Sequence, residues 1–268
     1  MRKFSFLEKI IINFFTPIVA IKVLFKDMVC ARQEKNGIRQ GKPLTGLKKG
    51  KISKDYSVEE LKVVGRRYGV TINDIIMAVT SQSIKQYLTK KGDTETELFK
   101  LSMQFSLREA PESIKEFELK NNFAMMTIPL QLHSDFETGL TKIKKQMDLI
   151  KRSFDPFGVY FLVKITTLLP TVLAKLVSLD MTRKISLVFS NVPGPKKPLI
   201  ISGKTVHSIV FFAPGMGNLN ASLNIVSHAD VLKVACVSDN SLIQDPALMI
   251  DLFEKNFEVI MEDTKKSK

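Results

Sequence analysis

Apolar and polar positions along this chain recur with two periods, and each period marks a kind of element. Residues 98–108 alternate, with Phe99, Leu101, Met103, Phe105 and Leu107 on one side and Lys100, Ser102, Gln104, Ser106 and Arg108 on the other. That predicts a strand with one wet face. Residues 123–132 predict a second strand, placed at an edge or a bulge because Pro129 has no N–H to give a ladder. Behind Ser134 and Glu137, the positions Phe136, Leu140, Ile143, Met147 and Ile150 repeat at helical spacing. An apolar helix is expected over 157–179, then strands over 185–190, 206–212, 219–227 and 231–238. Asp245 followed by Pro246 at the first helical position opens a closing helix to about residue 262.

Nearer the start, Ser57 with Glu60 reads as a capping box and Gly69 as a stop, so a helix should cover 58–68. Thr71 and Asp74 repeat the start signal for a longer helix that Gly92 ends near Lys91. No internal repeat is visible. Short strands interleaved with helices favour an α/β fold, a mixed sheet packed with helices, over a doubly wound one.

The N-terminal region differs from the rest in charge. Residues 1–54 hold 13 Lys and Arg against 3 acids, whereas 55–268 hold 27 against 24, so the net +13 of the chain is concentrated in one segment. We divide the chain into a basic amphipathic segment and linker, 1–54, and an α/β domain, 55–268. The polar stretch 32–54 is expected as a linker or exposed loop. A polyanion partner is implied, with lipid headgroups and coenzyme phosphates ahead of nucleic acid, because Trp is absent and no zinc finger, KH loop or aromatic RNP strand is present. Residues 4–25 are apolar, but Glu8, Lys9 and Lys22 leave an uninterrupted run of only 10–21, short of the roughly 20 residues a span needs. That helix should lie on a membrane or on protein.

Self-contained catalytic chemistry is hard to find. Cys30 and Cys236 cannot frame a disulfide scaffold or a four-ligand zinc site, no metal site is expected, and a reducing compartment is the default. Residues 41–47 (GKPLTGL) lack the Lys-Ser/Thr ending of a phosphate loop, and Gly215-Met-Gly217 precedes a strand pattern, not a helix. There is no GxSxG and no HExxH. His133 with Asp135 and His228 with Asp230 share faces at low specificity, so each histidine reads as an ordinary surface or core residue.

Two segments stand out. Ser190-Asn191-Val192-Pro193-Gly194-Pro195 closes an apolar strand with a Pro-Gly turn. Thr71-Ile72-Asn73-Asp74 puts Asn and Asp in the first turn of a very apolar helix, where Asp74 suits the cap and Asn73 is free to point elsewhere. In this order, and with Arg108, Asn122, Pro214-Gly215-Met-Gly217-Asn-Leu-Asn220, Asp239 and Asp245-Pro246 between and after them, these segments resemble the C-terminal half of the wax ester synthase/diacylglycerol acyltransferase family over about residues 45–262.

The resemblance implies one half of a coenzyme-A-dependent acyltransferase fold, with a tunnel between two such halves. It implies acyl-CoA as co-substrate with no bound cofactor, a fatty alcohol or diacylglycerol as the hydroxyl acceptor, and a peripheral position on a membrane or lipid droplet, at the cytosolic face of the endoplasmic reticulum. It puts Asn73, Asp74, Ser190, Asn191, Gly194, Gly215, Gly217 and Asn220 at the tunnel in supporting roles. The family's HHxxxDG base is missing from this sequence, and Asn121-Asn122 stands where Gly-Asn is usual. No residue here is therefore assigned as catalytic, and a first-half polypeptide is implied as partner. The chain starts where the family would place its inter-half connection, which leaves a truncated gene model and a true short protein both open. The alternative reading is a non-catalytic lipid-binding or membrane-scaffolding protein on the same fold.

Overall fold

The computed structural model describes residues 5–107 and 123–266. Arg108, Asn121 and Asn122 lie outside the described residues. A mixed sheet of order β1-β9-β8-β5-β3-β4 organises the molecule, with β2 also pairing β9. Its strands are β1 (Lys48–Ile52), β2 (Tyr56–Ser57), β3 (Leu98–Ser106), β4 (Phe123–Gln131), β5 (Leu187–Pro193), β8 (Ala221–His228) and β9 (Val231–Asp239). A separate hairpin joins β6 (Ile200–Ile201) to β7 (Lys204–Thr205). β5 runs parallel to both β3 and β8, and the other pairs are antiparallel. Pro129 sits on β4, an edge strand, where its missing N–H costs no ladder bond.

Capping chemistry sets the helices. α2 (Val58–Tyr68) starts where the Ser57 hydroxyl accepts from the Glu60 amide, and it ends at Gly69, with φ +63°. α3 (Ile72–Lys90) opens on a full capping box between Thr71 and Asp74. α4 (Phe136–Arg152) is capped by Asp135, whose carboxylate takes the Thr138 amide at 2.8 Å, one residue later than the Ser134 signal suggested. α7 (Pro246–Lys266) closes the fold.

On one face of the sheet, Leu101, Phe189, Leu223, Val234 and Ile128 join a single core with Leu61, Ile75, Ile84, Leu140 and Phe253 from these helices. Burying one such side chain contributes about 1.5–3 kcal/mol. The core therefore fixes which face β5 turns towards α3.

Four expectations are corrected. The apolar stretch 157–179 is two helices, α5 (Asp155–Thr166) and α6 (Thr171–Arg183), because Pro170 lacks an N–H and disfavours helical angles in the residue before it. Residues 206–212 do not pair as a strand. They run across a sheet face, where the Asn224 Oδ1 accepts from the Ala213 amide (3.0 Å) and His228 Nε2 lies 3.0 Å from the Val206 carbonyl. β8 already has β5 and β9 on its two sides, so no edge is open to them.

The stretch 32–54 is no loose linker, since β1 pairs β9 and Ile38 and Arg39 are buried. The division at residue 54 therefore cuts through the sheet. Finally, the polar side of β3 is not wet at its centre, where Ser102 is 1% exposed.

Helix α1 (Phe6–Leu24) packs on α5 where Gly158 lets the backbones meet: a Cβ there would lie 3.0 Å from the Ala20 nitrogen. A π-helical turn, Phe25–Cys30, continues it. No helix among the described residues is long and apolar enough to cross a membrane.

Candidate functional site

The start of α3 and the end of β5 meet. Asn191 Nδ2 donates to Asn73 Oδ1 at 3.0 Å, joining two motifs 118 residues apart. Helix geometry explains why Asn73 is available for this. Its neighbour Asp74 does the capping, with Oδ2 accepting from the Thr71 amide (3.0 Å) and hydroxyl (2.7 Å), so Asn73 can turn to the sheet. Its Nδ2 reaches only the Met77 sulfur at 3.7 Å, a weak acceptor. Asp74 is 1% exposed, and its Oδ1 has no hydrogen bond, with the Lys151 ammonium 3.8 Å away.

Strand alternation separates Ser190 from Asn191. Asn191 pairs with Ile225 and faces the helices, while Ser190 pairs with Asn224 and faces the other side of the sheet. Gly194, just beyond, serves backbone contact: a Cβ would stand 2.1 Å from the Ser227 carbonyl oxygen. The next residue accepts a bond from the Ala229 amide at 2.8 Å.

Gly215, Gly217 and Asn220 form a separate group. Met216 and Leu219 exchange two backbone bonds of 2.9 Å, and Asn220 Nδ2 donates to the Gly217 carbonyl at 3.0 Å. A Cβ on Gly215 would fall 1.8 Å from Asn220 Oδ1. Gly217 takes φ +54°, and a Cβ there would meet Thr182 Oγ1 at 2.7 Å, so this is a tight turn seated on the end of α6. β8 starts at residue 221 and runs parallel to β5, which puts the turn roughly 15 Å from Asn191 along the strands. The eight expected residues thus divide between opposite ends of β5.

Neither histidine forms a dyad. Asp135 is committed to capping α4, and His133 is held below its ordinary pKa first by burial and then by Lys142. Asp230 takes the Ser57 hydroxyl and the Glu59 amide, each at 2.8 Å. Among the described residues no group of His, Cys, Asp and Glu gathers to hold a metal.

Three arrangements lay beyond the sequence patterns, the first of them built on Asp239, which the resemblance named without a role. Asp239 receives the amides of Thr45 (3.0 Å), Gly46 (2.8 Å) and Ser241 (2.9 Å) and the hydroxyls of Thr45 (3.0 Å) and Ser241 (2.7 Å). Burial alone would raise its pKa, but these donors hold it well below the usual carboxylate range. Secondly, Ser102 Oγ and Gln104 Oε1, two apart on one face of β3, are buried without a hydrogen-bond partner. Leaving such a group unpaired costs about 1–3 kcal/mol. Thirdly, half-buried Glu34 packs against Lys100 (Nζ 3.4 Å), Ser186 Oγ (3.2 Å) and Asn36 Nδ2 (3.1 Å), which ties segment 32–39 to the sheet. The Ser-Asn-Glu-Lys composition of these places resembles that of any loop, so only the fold distinguishes them.

Residues 119–261 match the WS/DGAT C-terminal domain. This chain belongs to that family. It is 22% identical to wax ester synthase/diacylglycerol acyltransferase 8 of Arabidopsis thaliana over 91% of its own length and 56% of the relative's. Wax ester synthase/diacylglycerol acyltransferase 1 of the same plant is 26% identical, with 94% and 56% covered. The chain thus spans about half the length of these curated relatives.

Among solved structures, the wax ester synthase/diacylglycerol acyltransferase from Marinobacter aquaeolei VT8 superposes with a TM-score of 0.61 at 18% identity, over 95% of this chain and 57% of that one. The epimerization domain of tyrocidine synthetase B gives 0.60 at 12% identity, over 94% and 56%. The fold is therefore that of one half of the condensation-like acyltransferases.

Proposed function

We propose that this WS/DGAT C-terminal domain works as the second half of an O-acyltransferase that moves an acyl chain from acyl-CoA to a fatty alcohol or a diacylglycerol. The observation that carries this reading is the Asn73–Asn191 hydrogen bond, which unites the family's two motifs at one end of the sheet. In the reaction, a base takes the proton of the acceptor hydroxyl as its oxygen attacks the thioester carbonyl. The C–O bond forms, the C–S bond breaks, and the coenzyme thiolate takes up a proton. The base needs hydrogen-bond reach to the hydroxyl, and the HHxxxDG histidine of a first-half polypeptide fills that role. Asn73 and Asn191 contribute as positioning groups on the facing wall, and closure of the two halves excludes the water that would hydrolyse the thioester.

To test this, the chain is co-expressed with a first half bearing HHxxxDG and supplied with radiolabelled palmitoyl-CoA and hexadecanol or diacylglycerol. Ester should form in the complex, while the chain alone lacks the roughly 10²–10⁴-fold that general-base catalysis contributes. A stable complex that makes no ester above a heat-killed control contradicts the reading.

We also propose that α1 attaches the protein peripherally to a membrane or lipid droplet, at the cytosolic face of the endoplasmic reticulum. Leu7, Ile10, Phe14, Ile18 and Ile21 form an exposed apolar stripe on α1, and Leu168 between α5 and α6 and Val172 and Leu176 on α6 are exposed as well. Nearby Lys and Arg contribute about 1 kcal/mol each at an anionic surface, an effect that salt weakens. Binding should require anionic vesicles and fade at high salt. Equal sedimentation with neutral vesicles opposes the assignment.

A further inference from the structure

The charge excess of residues 1–54 does not all lie beside α1. Lys48, Lys49 and Lys51 are on β1, at one edge of the sheet, whereas α5, on which α1 packs, lies against β4 at the other edge. α1 itself carries Lys9 and Lys22, and Lys22 is tied to Asp155 at 3.2 Å. On the β4 side the richer source of cations is α4, which holds five Lys and Arg against two acids. Gln146 Nε2 fastens this helix to the edge strand by donating to the Pro129 carbonyl at 2.8 Å.

Leu140, Ile143 and Met147 turn one face of α4 to the core, and helical spacing puts Lys142, Lys145, Leu149 and Arg152 together on the opposite face. Leu149 is 65% exposed. It lines a shallow groove of about 310 Å³ with Lys144, Lys145, Asp148 and Arg152. Asp148 neutralises Lys144 at 2.8 Å, but Lys142, Lys145 and Arg152 form no ion pair among the described residues. Arg152 in the last turn suits the helix dipole; Lys142 and Lys145 lie too far from the end for that.

This face is continuous with α1. Only Ser153 separates Arg152 from Phe154, whose ring stacks on Phe15 of α1 with centroids 6.2 Å apart, and both rings are partly exposed. A surface on which α1 lies therefore runs on to the end of α4. We infer that the outer face of α4 is a further membrane contact, in which Lys142, Lys145 and Arg152 hold anionic phospholipid headgroups and Leu149 enters the apolar boundary between them. Long cationic side chains suit this, because their stems stay with the leucine while their charges reach the headgroups. The inference rests on the membrane attachment proposed above and adds which cations hold the lipid.

The test is sedimentation of the full chain with vesicles of phosphatidylcholine alone and of phosphatidylcholine with phosphatidylserine, over a range of salt, with soluble polyglutamate as a third probe. Wild type is compared with the double variant Lys145→Gln, Arg152→Gln on α4 and with Ile10→Gln, Phe14→Gln on α1. A third variant, Lys49→Gln, Lys51→Gln, removes the same charge as the first at the far edge of the sheet. All six residues are exposed, so the variants should fold, and a circular dichroism melt checks that they do. The α4 variant should bind anionic vesicles about tenfold or more weakly than wild type, with a shallower salt dependence, while the β1 variant keeps most of its affinity. Equal binding by wild type and the α4 variant, or an equal loss in the α4 and β1 variants, overturns the α4 contact and leaves the attachment through α1 standing. An α1 variant that binds as wild type does, while the α4 variant does not, contradicts the attachment through α1 and supports the α4 contact. Wild type that binds neither kind of vesicle overturns both, and polyglutamate held through Lys145 and Arg152 in that case assigns the face to an acidic protein instead.

Discussion

The two ends of β5 are built for different purposes. At its start, the Gly215–Asn220 turn is closed by bonds within itself, to α6 and from Arg39 and Asp239, and its glycines are needed because side chains would collide with Asn220 and Thr182. At its end, Asn191 and Asn73 hold each other by one bond while Asp74 beside them does the capping. The first arrangement is tight and closed. The second uses two amides where packing and capping ask for neither. A polar pair that stability does not demand is where selection for function shows, and substitutions can separate the two ends.

The largest effect should come from Gly194→Ala. Its Cβ would stand 2.1 Å from the Ser227 carbonyl, and the β5–β8 backbones cannot part without breaking the ladder, so a loss of about 3 kcal/mol or more is expected in urea unfolding. Next, Asp239→Ala should cost about 2 kcal/mol, since it leaves the Thr45, Gly46 and Ser241 donors without their acceptor.

Because the pKa of Asp239 is lower folded than unfolded, its contribution is complete above the unfolded value of about 4 and is lost as pH falls below it. The midpoint of the wild type should therefore drop on acidification through that range, and that of the variant should drop less. Asp74→Ala should lower stability by about 1 kcal/mol through loss of the α3 cap. Ser102→Ala should instead raise it by about 1 kcal/mol, because it removes a buried hydroxyl that has no partner; a lower melting temperature would show that the hydroxyl is satisfied after all.

Much of the architecture could be read before the fold was known, for reasons that are local. Ser57, Gly69, Thr71 and Asp74 act on backbone groups a few residues away, so the limits of α2 and α3 follow from them. Residues 206–212 failed because alternation says that a segment suits a strand but not that an edge is free to receive it. Segment 32–54 failed for a related reason. Its polar residues look like loop, yet Glu34, Asn36 and Arg39 are polar because they bond to Ser186, Thr182 and Asn218, more than 140 residues away. The candidate site was legible only through the family's motifs. Nothing in spacing could bring Asn73 to Asn191 or send Gly215, Gly217 and Asn220 to the far end of the strand.

The claim that the Asn73–Asn191 pair serves turnover and not folding is tested most directly by Asn73→Ala in the complex with an HHxxxDG-bearing first half. Its melting temperature and its ester formation from palmitoyl-CoA and hexadecanol are measured side by side. The account predicts stability within about 0.5 kcal/mol of wild type, as for a substitution outside core and cap, together with a turnover reduced by about tenfold or more. Full turnover in an assembled complex, or a loss of rate no larger than the loss of folded protein, would contradict it.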